Sequence, residues 1–327
     1  MRGKFRTILV LLAGVAAVAT MDVPVRGDEP VPTIAEVQAR LPVRDWKGAA
    51  EVLGMLAKIS DPKAAEAKSR LLRNAYESLN TPENDRALHR GGLAPMARRV
   101  QMRALAQLAL MPTATCAPDV RVILTDYVRF MNRQAGPRRP RQSLQLSMAH
   151  LIRSHIGDAE VRAVAQVYLA SAAMAEWTKA RVATGLLQYQ VAAITDAEDP
   201  DLSRRLALIM ETACLPSLEQ MLKAPKRLQL SAAIVADLTH KRPGTLLSFI
   251  AKSPQTSDAA RYFLAYACLT RALRKVQAKE ALLEGDRRLV ELAEQWHREL
   301  VAKTAAVKDG DQILDHQAKR WRDVQNQ

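Results

Sequence analysis

The sequence contains few of the residues from which β-strands and disulfide scaffolds are built. Aromatic residues account for 4% of its 327 residues, and it has three cysteines. Its apolar residues, 48% of the total, are therefore mainly alanine, leucine, valine, isoleucine and methionine. Alanine, leucine and methionine favour helices, whereas the aromatic and β-branched runs typical of strands are scarce. The composition predicts an all-α protein.

The three cysteines, Cys116, Cys214 and Cys268, are too few for a dense disulfide framework. An odd number leaves at least one thiol unpaired within a monomer. Cys214 and Cys268 lie in apolar helical segments, where a cysteine is usually a small core side chain. A disulfide between these two residues is the alternative, and spacing alone does not show whether their Cβ atoms come close enough for it.

The chain also lacks the motifs that identify common active sites, since it has no Gly-x-Ser-x-Gly, His-Glu-x-x-His, Walker loop or Cys-x-x-Cys. Glu294 and His297 have the spacing of one di-iron ligand pair, but such a site needs two of these pairs. Tyr76-Glu77-Ser78 contains the Glu-Ser pair of lytic transglycosylases without the Gly-Leu-x-Gln and Ala-Tyr-Asn elements of that family. We therefore predict no catalytic, metal-binding or cofactor-binding residue and no cofactor.

The first residues have the pattern of a secretory signal peptide. Arg2, Lys4 and Arg6 precede an uncharged, mostly apolar run, Thr7–Thr20. A helix of about 14 residues spans about 21 Å, less than the roughly 30 Å of a bilayer core. We expect a signal peptide over residues 1–27, cut between positions 19 and 27, in preference to an uncleaved membrane anchor. The protein is then exported, to the periplasm or the extracellular space.

Positive charge is abundant, with 48 lysines and arginines against 34 aspartates and glutamates, a formal net charge of +14. Arginines are frequent between positions 98 and 141, and guanidinium groups bind carboxylates and phosphates bidentately. The alternative is that these arginines are solvated side chains on helix faces and in a basic loop. The predicted anion-binding residues are Arg98, Arg99, Arg103, Arg133, Arg138, Arg139 and Arg141.

Helix-capping patterns and prolines divide the remaining chain into regions. The predicted regions are an N-terminal helical region 28–133, a basic Pro/Arg linker 134–143, a repeat-like helical region 144–276 and a charged C-terminal region 277–327. We expect two long helices in the last region, hinged near Asp309-Gly310. Their charge-alternating faces are typical of a cap or a loosely packed arm.

The middle region has four predicted helix starts that lead into segments rich in arginine and alanine, near Asp158, Asp199, Lys226 and Ser257. These segments resemble the helices of HEAT-like repeats, in which helix pairs stack into an α-solenoid. The starts are about 41, 27 and 31 residues apart, whereas such repeats have periods of about 40 to 47 residues, so an irregular multi-helix domain is the alternative. The resemblance implies a concave surface for protein partners and assigns no functional residue.

Together these features predict an exported, non-catalytic helical scaffold or protein-interaction module. One alternative is a polyanion-binding module that uses the Arg98–Arg141 cluster. Another is an unrecognised cell-envelope hydrolase or lyase, for which Glu77 is the named candidate. The expected partner is a protein, followed by an acidic envelope polymer or an anionic membrane surface, while export argues against nucleic acid.

Overall fold

The structure is a computed structural model, and it describes residues 30–41, 45–80, 94–133, 142–194, 201–241, 257–307 and 312–326. In these stretches the regular elements are 14 α-helices and one short 3₁₀-helix, with no strand. The predicted all-α class is confirmed, and the solenoid arrangement stays a prediction. The predicted signal peptide lies outside the described residues. None of the described helices is both long enough and apolar enough to span a bilayer.

The chain divides into two compact units, and the division falls inside the seventh helix, where Tyr168–Ala170 belong to the second unit. The helices of the first unit are α1 Ile34–Gln38, α2 Trp46–Lys58, α3 Ala65–Glu77, α4 Ala94–Ala109, α5 Thr113–Arg133, α6 Gln142–Ser154 and most of α7 Ala159–Ala170. α3 and α6 each contact both α4 and α5, so these four helices surround a common interior. Its largest fully buried aliphatic side chains include Leu72, Leu105, Leu108, Ile123, Leu124 and Met148.

Local sequence determines where several of these helices begin. The Thr33 side chain accepts from Glu36 N, while the Glu36 carboxylate accepts from Thr33 N, and these two bonds form a capping box at the start of α1. Asp61 caps the 3₁₀-helix Pro62–Ala64, whose first residue is proline, which has no N–H to leave without a partner there. Asp158 accepts from two backbone N–H groups in the first turn of α7.

The predicted linker 134–143 lies almost wholly outside the described residues. The helices on its two sides, α5 and α6, contact each other and belong to the same unit. The division into two compact units lies about two helices later than the predicted linker, after α6 and most of α7.

The second unit is built around one long, largely buried helix. Its helices are α8 Glu176–Ala192, α9 Leu202–Ala213, α10 Leu218–Leu222, α11 Pro225–Lys241, α12 Asp258–Gln277, α13 Glu284–Ala305 and α14 Ile313–Gln325. α12 contacts α10, α11, α13 and α14, while α8 contacts α9 and α11. Tyr262 and Phe263 of α12 are fully buried. This alanine-rich helix has few exposed side chains because the four helices that it contacts surround it.

The charged C-terminal region forms two helices, α13 and α14, in the part of the chain that the structure describes. Trp296 and Leu300 of α13 and Trp321 of α14 are buried in the same core as α12. The polar sequence of these helices reflects their outer faces, because most of their large apolar residues pack inward, with Val301 as an exposed exception. α13 and α14 are therefore a packed part of the second unit rather than a loose arm.

Candidate functional site

The predicted arginines occupy different environments in the first unit. Arg99 is exposed and Arg103 is half-buried, and both lie on α4 with the four-residue spacing that places side chains on one helix face. Arg133 is exposed in the last turn of α5. In the stretches that the structure describes, Arg99, Arg103 and Arg133 have no carboxylate within ion-pair distance.

The other arginines of this segment are engaged or lie elsewhere. Arg98 is half-buried and has interactions with its surroundings. Arg121 pairs with Glu160, and Arg129 pairs with Asp126 at 3.7 Å. Three further arginines, Arg138, Arg139 and Arg141, lie outside the described residues. The structure thus distinguishes the arginines in ion pairs, Arg121 and Arg129, from those without one among the described residues. Their spacing in the sequence does not show this difference.

The exposed face of α4 carries apolar side chains beside its arginines. At about 100° per residue, positions 96, 99, 103, 106 and 110 fall within a sector of about 80°. Met96 is 37% exposed and Leu110, just after the last residue of α4, is 80% exposed. The Arg99 Nη1 atom lies 4.0 Å from the Met96 sulfur. We call Met96, Arg99, Arg103 and Leu110 the α4 face.

The opposite side of α4 is buried, through residues such as Ala104, Leu105 and Leu108. The α4 face therefore points away from the helices that α4 packs against. Sequence reasoning identified its arginines but missed Met96 and Leu110, although their three- and four-residue spacing was a usable signal.

A buried Cys–His contact lies at the junction of three helix ends in the first unit. The Cys116 sulfur is 3.7 Å from both ring nitrogens of His155, and both side chains are fully buried. His155 Nε2 lies 3.0 Å from the Leu108 carbonyl oxygen and must donate to it, since a carbonyl oxygen can only accept. His155 Nδ1 lies 3.1 Å from the Thr113 hydroxyl, and in the neutral imidazole it accepts from that hydroxyl.

Burial also sets the protonation of this pair. It raises the pKa of Cys116 to about 11 and lowers the pKa of His155, since the charged form of each is disfavoured away from water. A nucleophilic cysteine needs a thiolate and access to a substrate. Cys116 and His155 therefore hold helix ends together, as do the hydrogen bonds around them.

Glu77, the candidate for an envelope hydrolase, lies on an exposed part of α3. Partial burial raises the pKa of Glu77, Arg73 opposes this shift, and Asp126 and Asp119 add to it. The Glu77 carboxylate lies 3.4 Å from Arg73 Nε and is 42% exposed. Arg73 also donates to the buried Asp119, which accepts from Ser69 at 2.6 Å. The ion pairs and hydrogen bonds around Arg73 and Asp119 thus connect α3 to α5. They give Glu77 a structural partner and do not supply a second catalytic group for a hydrolase.

In the second unit a buried carboxylate joins two helix ends. Asp286 Oδ1 lies 2.7 Å from Arg271 Nη2, and Asp286 Oδ2 accepts from Lys275 Nζ at 2.8 Å and from Leu283 N at 3.0 Å. The three charged side chains are at most 8% exposed. Burial lowers the pKa of Arg271, an effect that Asp286 opposes. Sequence reasoning missed this group, although the four-residue spacing of Arg271 and Lys275 within an apolar helix was a signal.

The remaining candidates from the sequence are the metal-ligand pair that includes His297 and the possible disulfide between Cys214 and Cys268. His297 Nε2 lies 2.5 Å from Asp315 Oδ1, which joins α13 to α14. Among the described residues, no three histidine, cysteine, aspartate or glutamate side chains are grouped so that they could hold a metal ion. All three cysteines are free thiols, so Cys214 and Cys268 are not joined, and burial raises the pKa of each of these two to about 12.

Comparisons with known proteins found no relative of this chain. No family model, no curated protein and no solved structure matches it.

Proposed function

We propose that this protein is an exported, non-catalytic helical binding module for a protein partner. The observation that carries the proposal is the α4 face, where Arg99 and Arg103 are unpaired among the described residues and lie beside exposed apolar side chains. Arginine and methionine are enriched at protein interfaces, and arginine is common among the residues that dominate binding energy. Export rests on the leader sequence.

The reactive side chains support the same proposal because their surroundings give each a structural role. Cys116 and His155 are buried at a helix junction, and Asp286 is buried between two cations. Each of these groups contacts neighbouring helices through hydrogen bonds or ion pairs. The exposed guanidinium groups of Arg99 and Arg133, in contrast, are accessible to a ligand.

Crosslinking in intact envelopes tests the proposal. Lys47, Lys58 and Lys63 are exposed on the first unit, and a lysine-reactive crosslinker joins them to a bound protein. We expect the same partner protein in replicate preparations, identified by mass spectrometry, and its loss when the untagged chain is added in excess. Crosslinks confined to this chain would refute a protein partner.

A polyanion-binding module is the second candidate function. Residues 94–141 contain nine arginines, two aspartates and no lysine or glutamate, so this segment supplies +7 of the formal +14. Such a concentration of charge attracts polyanions in a salt-dependent way. An acidic envelope polymer or an anionic membrane surface fits this candidate better than nucleic acid, given export.

Salt elution from an anionic matrix tests this candidate. We expect R99Q/R103Q/R133Q to elute at clearly lower salt than the wild type. The matched control, R204Q/R287Q/R298Q, removes the same charge from exposed positions of the second unit and should elute closer to the wild type. Equal shifts for the two triple variants would mean that net charge alone determines retention. The variant R138Q/R139Q/R141Q tests the contribution of the basic linker.

A further inference from the structure

We propose that the α4 face is the docking surface, and that it binds a helical protein segment with acidic residues at its centre and apolar residues at both ends. The inference rests on the proposed protein-binding function and adds the site and the chemistry of the partner. The order of residues along the face defines that chemistry. Met96 lies near one end, Arg99 and Arg103 lie in the middle, and Leu110 lies at the other end.

The dimensions of the face suit a short helix. From position 96 to position 110 the axial distance is about 21 Å at 1.5 Å per residue. A partner helix of about 14 residues covers this length, and its acidic side chains at i and i+4 match the four-residue spacing of Arg99 and Arg103. Charge complementarity therefore fixes the central residues of the partner.

The apolar ends distinguish a protein from a simple polyanion. A polymer that carries only charged and hydroxyl groups gains nothing from Met96 or Leu110, whereas leucine or methionine side chains of a helix bury against both. Arg99 contacts the Met96 sulfur, so the apolar and cationic parts of the surface are continuous. Removal of exposed apolar area from water supplies binding free energy that charge alone does not.

Selection from a displayed library of 18-residue helices against the full chain tests the inference. We expect the selected peptides to carry two acidic residues four apart, flanked by leucine, methionine or phenylalanine. Their affinity should fall at least about tenfold for R99Q/R103Q and about fivefold or more for M96S/L110S, losses of the size found when interface side chains are removed. The matched controls are R70Q, an exposed arginine of α3, and L230S, 44% exposed on α11, and neither should change the affinity.

Poly-glutamate serves as the comparison ligand. The affinity of the protein for poly-glutamate should fall for R99Q/R103Q and remain unchanged for M96S/L110S. Selected peptides without acidic pairs, or acidic peptides that are indifferent to M96S/L110S, would overturn the inference. A partner crosslinked in envelopes through another surface would also overturn it while leaving the proposed function intact. Circular dichroism of each variant confirms that the helical fold is retained.

Discussion

Asp286 lies where the last turns of α12 meet the first turn of α13, and its carboxylate interacts with both helix ends. It accepts from the Leu283 N–H at the start of α13 and pairs with two cations near the end of α12. Anions are stabilised near helix N-termini and cations near C-termini, so the helix dipoles reinforce the pairs. Burying these three charges away from water costs free energy, and their mutual attraction offsets that cost only while all three are present.

Asp286→Asn should destabilise the second unit by about 3 to 5 kcal/mol, because two buried cations lose the carboxylate with which they form ion pairs. Urea unfolding followed by tryptophan fluorescence measures this change, since Trp296 and Trp321 are buried nearby in the same core. The control is Glu284→Gln on the same helix turn, where an exposed pair with Arg288 is removed and the cost should stay within about 1 kcal/mol. Similar losses for the two variants would contradict a special role for Asp286.

His155 should make the first unit sensitive to acid. Its pKa is lowered in the folded state by burial, so the unfolded chain binds a proton more readily than the folded chain. The stability is therefore complete above the unfolded value of about 6.5 and decreases as the pH falls from there towards the lower folded value. Unfolding by urea at several pH values, together with an NMR titration of the ring, measures this dependence.

A neutral variant provides the reference for this prediction. His155→Gln keeps a hydrogen-bonding side chain but has no proton to bind, so its stability should vary less with pH between 7 and 5. A folded-state titration of His155 at or above the ordinary value would contradict the predicted direction. The Leu108 carbonyl and Asp158 favour the charged ring, while His150 and burial oppose it.

At the scale of helices, the sequence predicts those features that depend on residues close together in the chain. The start of α12 follows Ser257, whose side chain accepts from Ala260 N, and the buried stripe of Leu228, Ala232 and Val235 lies on α11 as its spacing indicates. Caps and stripes depend on residues three or four apart, so they are legible in one sequence.

Contacts between distant segments were not predictable in this way. Cys116 and His155 are 39 residues apart, and Arg121 meets Glu160 across the same distance. Such pairs depend on how helices pack, and single-residue patterns do not encode packing. For the same reason the arginine cluster was identified from the sequence, but its paired and unpaired members were not distinguished.

The packing of α14 leads to a prediction about that whole helix. Trp321→Ala should destabilise the second unit by about 3 to 5 kcal/mol, because it removes a large side chain from a shared core. Gln325→Ala on the exposed side of α14 should change the stability by about 0.5 kcal/mol or less. Thermal unfolding of both variants measures the difference. A negligible effect of Trp321→Ala would mean that α14 contributes little to the core.

For the molecule as a whole, the distribution of charge matters more than its total. Half of the formal +14 lies in residues 94–141, although this segment is a small part of the chain. Salt should therefore weaken ligand binding through the first unit more than a uniform distribution of charge would suggest.

The absence of lysine from residues 94–141 has a consequence for control of the protein. Arginine stays charged throughout the pH range in which proteins remain folded, and it is not a substrate for lysine acetylation. Neither acidification nor acetylation can thus neutralise the charge of this surface. His155 makes the first unit itself sensitive to acid, so the His155→Gln variant is the one to titrate. A pH threshold for assembly that remains in this variant belongs to the partner and reports the ionisation of the partner's acids.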